Sequence, residues 1–188
     1  MFRPFLALAA TALVAAALPA HATLVLNSTG LLPGNDCAGD LGTPPACSYE
    51  GSPMIAKFDF VTGGGSTFTA GSYASIDGSE FAFTGGGTPS GTFTYTPGTG
   101  DPLIRFWSLK SGPEYEVFWY TSGSSGAASS AVTVPTGTSI KWATSSGKDI
   151  SHITFFDTDD DLTLPEPGSL ALLGLGLLAL GAARRRTN

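Results

Sequence analysis

Apolar and polar residues alternate with a period of two in short segments of this chain. MIAKFDFV (54–61) places four apolar side chains on one face and Lys57 and Asp59 on the other. SEFAFT (79–84) and GTFTYT (91–96) repeat the pattern. Because successive side chains of a strand point to opposite faces, these segments predict half-buried β-strands.

Two segments are apolar on both faces and predict central strands. PLIRFWSLK (102–110) and YEVFWYT (115–121) are joined by the turn sequence SGPE. Further strands are predicted at 23–27, 129–134, 139–144 and 150–156, and no window of twelve residues in 23–164 has helical spacing. The chain is therefore predicted to be all-β. An antiparallel β-sandwich of jelly-roll or immunoglobulin-like type is expected, with a closed barrel as the alternative.

Two similar hairpins carry Gly triplets. FDFVTGGGSTFT (58–69) resembles FAFTGGGTPSGTFT (81–94), and each reads as a strand, a glycine-rich tip and a second strand. Two copies are too few for a solenoid. Such flexible tips are candidate ligand loops.

The first 22 residues have the three parts of a secretory signal peptide. Arg3 supplies the positive charge, an apolar run follows, and Ala20-His21-Ala22 has the small residues of a cleavage site. We predict a signal peptide at 1–22 and a mature chain that begins at Thr23. A short membrane anchor is the weaker alternative.

Export makes the two cysteines interpretable. Cys37 and Cys47 lie ten residues apart in a stretch rich in Gly and Pro. In an oxidising compartment this pair predicts a disulfide, because two thiols without nearby histidines make a poor zinc site. The sequence therefore predicts one disulfide-bonded domain at 23–161.

The charge of the exported part excludes one class of partner. Residues 23–164 hold fourteen acidic and five basic residues, a net charge of −9. Such a surface repels phosphate backbones, so no nucleic acid partner is expected. Anionic polymers are also disfavoured unless divalent cations bridge them.

Catalytic patterns are weak throughout the domain. His152 is its only histidine, and no Gly-x-Ser-x-Gly elbow accompanies it. Glu114 and Glu116 share a strand face and are candidates for a glycosidase pair, but their simpler interpretation is solvated strand acids. Phosphate-binding and dinucleotide-binding loops do not occur in the sequence. We therefore expect no cofactor and no enzymatic activity.

One acidic run resembles part of a calcium loop. Asp157, Asp159 and Asp161 alternate in DTDDD (157–161), but the Gly and Glu that an EF-hand needs further on are missing. A solvated spacer between the domain and a membrane is the preferred interpretation, with a calcium site as the weaker one.

Aromatic residues are the remaining hint of a binding function. Trp107, Trp119 and Trp142 could stack on sugar rings from an aromatic face, or they could pack in the core, which the two-sided central strands favour.

The C-terminus reads LPEPGSLALLGLGLLALGAARRRTN. Its apolar part, extended back to Leu164, has the length of a single membrane-spanning helix, and Arg184, Arg185 and Arg186 would keep the end cytoplasmic. A sortase signal would need a threonine after Leu-Pro-x, which this chain lacks. The motif Pro165-Glu166-Pro167, the apolar run and the Arg cluster together resemble the PEP-CTERM sorting domain, here at 162–188.

This resemblance implies a Gram-negative-type bacterium and processing by an exosortase at the inner membrane. It also implies association with exopolysaccharide and biofilm. The expected protein is therefore a non-enzymatic protein of the cell surface or extracellular matrix, held for a time in the inner membrane by its C-terminal helix. A carbohydrate-binding module is the first alternative, and a hydrolase acting on exopolysaccharide is the second.

Overall fold

The computed structural model describes residues 23–61, 64–123 and 126–158. These residues form twelve β-strands and one short 3-10 helix, Ala128–Ser130, with no α-helix among them. The all-β prediction is confirmed. The strands are β1 Leu24–Ser28, β2 Leu32–Pro33, β3 Ser48–Tyr49, β4 Ser52–Phe60, β5 Ser66–Ala70, β6 Phe81–Thr84, β7 Ser90–Tyr95, β8 Ile104–Ser111, β9 Glu114–Ser122, β10 Ala131–Val132, β11 Ile140–Ala143 and β12 His152–Asp157.

Nine strands form a large antiparallel sheet with β12 near its middle. The main order is β1-β9-β8-β12-β4-β3, while β2 and β10 also pair with β9, and β5 pairs with β4. The last strand therefore inserts between β8 and β4, pairing with both along its length. A small antiparallel sheet of three strands has the order β11-β7-β6.

The two sheets share an aromatic core. Phe155 from the large sheet lies 4.7 Å from Phe81 and 4.9 Å from Phe93, both in the small sheet, measured between ring centroids. Trp107 from β8 lies 5.6 Å from Phe93 in the same way. These contacts join the sheets face to face, since each buried ring belongs to one cluster.

The opposite face of the large sheet is covered by the loop that holds the cysteines. Cys37 and Cys47 form a disulfide with a Cα–Cα distance of 5.3 Å, as predicted. Both are fully buried, in a second apolar cluster with Phe106, Trp119 and Phe156 among others. The large sheet is therefore packed on both faces, which explains why β8 and β9 are apolar on both sides.

Most predicted strands are present, and the turn between β8 and β9 falls at Gly112 and Pro113. The predicted strand at 129–134 is mostly wrong, because only the two residues of β10 pair there, after a 3-10 helix. Ser129 and Ser130 lie in that helix, and beyond β10 the segment keeps a single backbone bond to β8, from the N–H of Val134 to the carbonyl oxygen of Ile104 at 2.8 Å. Strands β2 and β3 were not predicted; each has only two residues.

Several predicted features lie outside the described residues: the signal peptide at 1–22, the sorting motif and the C-terminal helix. Within the described part of the chain, no helix is both long and apolar enough to cross a membrane.

Candidate functional site

An open cleft lies between the two sheets. It has a volume of about 560 Å³, within the range of small-molecule sites. Strands β1, β8 and β9 form one wall, and β7 and β11 form the other. The cleft is lined by Leu26, Ser90, Gly91, Thr92, Trp107, Phe118, Lys141, Trp142 and Ala143.

Two of the three tryptophans line this cleft from opposite walls. Trp107 stacks on Phe118 with ring centroids 5.6 Å apart and an interplanar angle of 14°. Trp142 belongs to β11 in the small sheet. Both indoles are buried in the core, as the preferred interpretation predicted. Their N–H groups are buried and have no hydrogen-bond partner among the described residues.

Gly91 leaves the space that the Trp142 side chain occupies. The two residues are directly paired across β7 and β11. A Cβ at position 91 would lie 2.7 Å from the Trp142 ring and would overlap the carbonyl oxygen of Thr84. Only glycine leaves room there for the indole and for the neighbouring backbone.

Trp119 does not belong to the cleft. It is buried on the other face of the large sheet, in the cluster with the disulfide. Its ring centroid lies 6.3 Å from that of Phe106. An aromatic binding face made of all three tryptophans is therefore excluded, because β9 points Trp119 away from Trp107 and Trp142.

A buried polar cluster lies beneath the disulfide loop. Asp36 has no exposed surface and accepts hydrogen bonds from Ser108, from Thr154 at 3.2 Å and from the Nε2–H of His152 at 2.5 Å. Adjacent strands β8 and β12 place these three side chains on one face of the sheet. The loop brings Asp36 down onto them.

The protonation of Asp36 reflects these contacts. Burial raises the pKa of its carboxyl, but the hydrogen bond and charge of His152, with bonds from Ser108 and the Cys37 N–H, outweigh burial and hold the pKa below its usual value. Asp36 is therefore a carboxylate at neutral pH, and its charge stays inside the domain.

This arrangement differs from a Ser-His-Asp triad. In a triad the serine hydroxyl bonds to the histidine, whereas Ser108 bonds to the aspartate here. His152 is also buried, and its Nδ1 lies 3.6 Å from a carboxylate oxygen of Asp59. The geometry gives His152 a structural role. Asp36 was not predicted from the sequence. The one signal for it was His152, because a histidine on a buried strand needs a hydrogen-bond partner.

Glu114 and Glu116 share a strand face, but their environments differ. Glu116 is buried and accepts hydrogen bonds from Ser28 at 2.6 Å and Ser145 at 2.5 Å, whereas Glu114 is partly exposed. The interpretation of Glu116 as a solvated strand acid is wrong. Its carboxylate ties β9 to β1 and to the segment after β11.

Asp157 is also buried and is not part of a solvated spacer. It ends β12, and its carboxylate accepts hydrogen bonds from Tyr73 and Thr158. Asp159 and Asp161 lie outside the described residues. Within the described ranges, no group of three or more His, Cys, Asp or Glu side chains is placed to hold a metal ion.

The two glycine-rich hairpin tips lie next to each other, a contact that was not predicted from the sequence. Phe60, Gly64, Gly65, Ser66, Phe83, Gly85 and Gly86 line a second, smaller cavity of about 390 Å³. Phe60 and Phe83 lie 5.4 Å apart, edge to face. A Cβ at Gly86 would lie 2.6 Å from the Phe60 ring, so this glycine serves packing.

The C-terminal sequence places the chain among proteins that carry a C-terminal sorting signal. Residues 163–186 match the family model of the PEP-CTERM protein-sorting motif, so the chain carries a PEP-CTERM sorting domain, as its resemblance predicted. The match includes Pro165-Glu166-Pro167 and Arg184, Arg185 and Arg186. No curated protein and no solved structure matches the chain. The motif indicates a secreted protein that passes a membrane as a precursor.

Proposed function

We propose that the protein is a non-enzymatic component of the cell surface or extracellular matrix, built on a β-sandwich domain and delivered by an exosortase. The sorting motif at 163–186 is the observation that carries this proposal. The inner membrane holds the precursor through the C-terminal helix. After processing, the domain associates with exopolysaccharide in the matrix of a biofilm.

The placement of the candidate catalytic groups supports a non-enzymatic role. His152 and Glu116 are both buried, and both are bonded to other side chains of the domain. A general acid or base must reach a substrate proton directly or through one water. Groups that are committed to internal bonds serve stability instead.

Processing is tested in a host that encodes an exosortase, using the full chain and a Glu166→Ala variant. We expect mass spectrometry of the surface fraction to find wild-type protein that begins at Thr23 and lacks the apolar run. The variant should stay in the membrane at full precursor length minus the signal peptide. Glu114→Gln, in the folded domain, serves as the control and should be processed normally. Equal surface attachment of a chain lacking 165–188 would contradict the proposal.

Carbohydrate binding at the cleft is the second candidate function. Sugar rings have apolar C–H faces that pack on aromatic side chains. Phe118, which is partly exposed, provides such a surface in the cleft, and the buried Trp107 and Trp142 line the same cleft. Exposed Ser90 and Lys141 at the same site provide polar groups for hydroxyls.

Calorimetric titration with host polysaccharide tests this candidate. Trp142→Phe removes an indole N–H and part of the aromatic surface, and Lys141→Ala removes a rim contact without disturbing the core. We expect each to weaken binding at least about threefold. Trp119→Phe makes the same change on the other face of the sheet and should bind as the wild type does. Equal affinity in all four proteins would exclude the cleft as the site.

A further inference from the structure

Both ends of the described domain lie at one end of the large sheet. β12 ends at Asp157, and the N–H of Thr158 donates to the carbonyl oxygen of Leu103 at 2.8 Å, next to the start of β8. At this same end of the sheet β9 finishes at Ser122, directly opposite Leu24. We call this the exit end, defined by Leu24, Leu103, Ser122 and Thr158. The strand pairings fix it, because β8 is antiparallel to both β12 and β9, and β9 is antiparallel to β1.

Exposed apolar side chains collect at the exit end. Six large apolar residues are exposed among the described residues. Four of them lie there: Leu24, Val25, Leu26 and Leu103. The other two, Leu31 and Val61, lie at the opposite end, where β2 pairs with the start of β9 and where β4 finishes.

The strand that carries three of these residues is an unprotected edge. β1 has the sequence LVLNS, without a charge or a proline, and no other described strand pairs with its outer side. Natural edge strands are usually blunted by such residues because exposed edges are sites of association. The exposed edge of β1 therefore indicates a surface that contacts another component when the protein functions.

The length of chain beyond Thr158 identifies what covers it. Only eleven residues lead from Thr158 to Ser169, where the uninterrupted apolar run of the tail begins. Even fully extended, they span at most about 40 Å. While that run is inserted in a bilayer, Thr158 therefore stays within about 40 Å of the lipid, and the exit end is the end of the sheet that is joined to this tether.

We propose that the exit end is a lipid-contacting surface of the precursor, with Leu24, Leu26 and Leu103 touching the bilayer that holds the tail. This inference rests on the proposed membrane-held precursor. The acids Glu50 and Asp101 lie at the same end, in the turn before β4 and just before β8. These acids disfavour an anionic surface, so a zwitterionic lipid without net charge, phosphatidylcholine, fits the apolar contact best.

The test uses the full chain without its signal peptide, reconstituted in phosphatidylcholine vesicles that contain a headgroup nitroxide quencher. A polarity-sensitive fluorophore is attached to Leu24→Cys or Leu103→Cys. Leu31→Cys and Val61→Cys are matched controls, since these four residues are 40%, 39%, 40% and 53% exposed. We expect at least twofold stronger quenching at positions 24 and 103 than at 31 and 61. Equal quenching at all four positions overturns the proposal.

A second variant separates lipid contact from simple tethering. Leu24→Ser and Leu26→Ser are combined, with the fluorophore at position 103. If the apolar surface binds lipid, quenching at position 103 falls toward the level found at 61. Unchanged quenching means that the tether alone orients the domain, and energy transfer between copies through β1 means that a second chain covers the edge. Either result overturns lipid contact, whereas a chain that fails to float with the vesicles contradicts the membrane-held precursor itself.

Discussion

The carboxylate of Asp36 joins a loop to two strands of the large sheet. Its partners Ser108, His152 and Thr154 come from β8 and β12, which are neighbours in that sheet. A buried charge is costly unless hydrogen bonds replace its hydration, and three side chains do so here. The cluster therefore fixes the position of the loop that it anchors.

Asp36→Asn should destabilise the domain by about 2–4 kcal/mol, because the amide is a weaker acceptor and its NH₂ meets donors that are already buried. Urea unfolding followed by tryptophan fluorescence measures the loss. Asp40→Asn is the matched control in the same loop, since Asp40 is exposed. It should change the free energy of unfolding by less than about 0.5 kcal/mol. Equal losses in the two variants would mean that the buried contacts contribute nothing specific.

The lowered pKa of Asp36 also predicts an acid response. The unfolded carboxyl titrates near its ordinary value of about 3.9, and the folded one titrates below it. The stabilisation is therefore complete above the unfolded pKa and is lost as the pH falls through the folded pKa. Unfolding free energies between pH 6 and pH 2 should fall more steeply for the wild type than for Asp36→Asn. Parallel curves would contradict this assignment.

At the residue scale, the sequence predicted that large apolar side chains of the central strands are buried, but not which distant residues the buried side chains contact. Burial of Trp107 and Trp119 was predictable, since β8 and β9 are apolar on both faces. The separation of Trp119 from Trp107 was not, because it depends on which face each strand turns to the small sheet. The partner of His152 lies 116 residues away, and no local pattern encodes that distance.

The disulfide loop acts as a cover for one face of the large sheet. Cys37 follows Asp36 directly, so the covalent link and the buried cluster hold the same segment. Closing a loop of this length stabilises the folded state by about 2–3 kcal/mol in the chain-entropy description. The disulfide and the hydrogen bonds of Asp36 therefore both hold this loop on the large sheet.

Reduction of the disulfide should lower the unfolding free energy by about that amount, about 2–3 kcal/mol. Urea unfolding with and without dithiothreitol measures the change. A Cys37→Ser/Cys47→Ser double variant is the control and should not respond to the reductant. If it responds as the wild type does, the effect does not come from this disulfide.

Gly91 tests how tightly the small sheet holds Trp142. Gly91→Ala should destabilise the domain by about 1–3 kcal/mol, because the new methyl group overlaps the Thr84 carbonyl and the indole. Thermal unfolding followed by circular dichroism measures this. Gly98→Ala is the control, since a Cβ there meets only the flexible Asp101 side chain, at 3.0 Å. An equal loss at both positions would show that glycine itself, and not the contact with Trp142, matters.

At the element scale, the period-two pattern was a reliable guide to the long strands. It predicted β4, β6 and β7, while the segments that are apolar on both faces predicted β8 and β9. It did not predict β2 and β3, because two residues are too few to show a period-two pattern. It also could not place β12 between β8 and β4, because strand order is set by long-range packing.

At the scale of the whole molecule, folding raises the pKa of tyrosines on both faces of the large sheet. Burial is the first cause in every case and raises the pKa of Tyr49, Tyr95, Tyr115 and Tyr120. For Tyr95 the nearby charges of Asp101, Glu80 and Asp157 add to the effect. Its hydroxyl also donates to the Pro102 carbonyl oxygen at 2.6 Å. Ionising Tyr95 would break that bond and bury a charge.

These raised pKa values predict that the domain loses stability in alkali. A group whose folded pKa lies above its unfolded value stabilises the fold fully below the unfolded pKa, here about 10, and progressively less as the pH rises toward the folded value. Absorbance at 295 nm should show fewer tyrosines ionising at pH 10.5 in the folded protein than in urea. Tyr95→Phe should cost about 1 kcal/mol at pH 7, since one hydrogen bond is lost, yet make the unfolding free energy less sensitive to pH above 10. If the unfolding free energy of Tyr95→Phe falls with pH above 10 as steeply as that of the wild type, ionisation of Tyr95 does not contribute to alkaline unfolding.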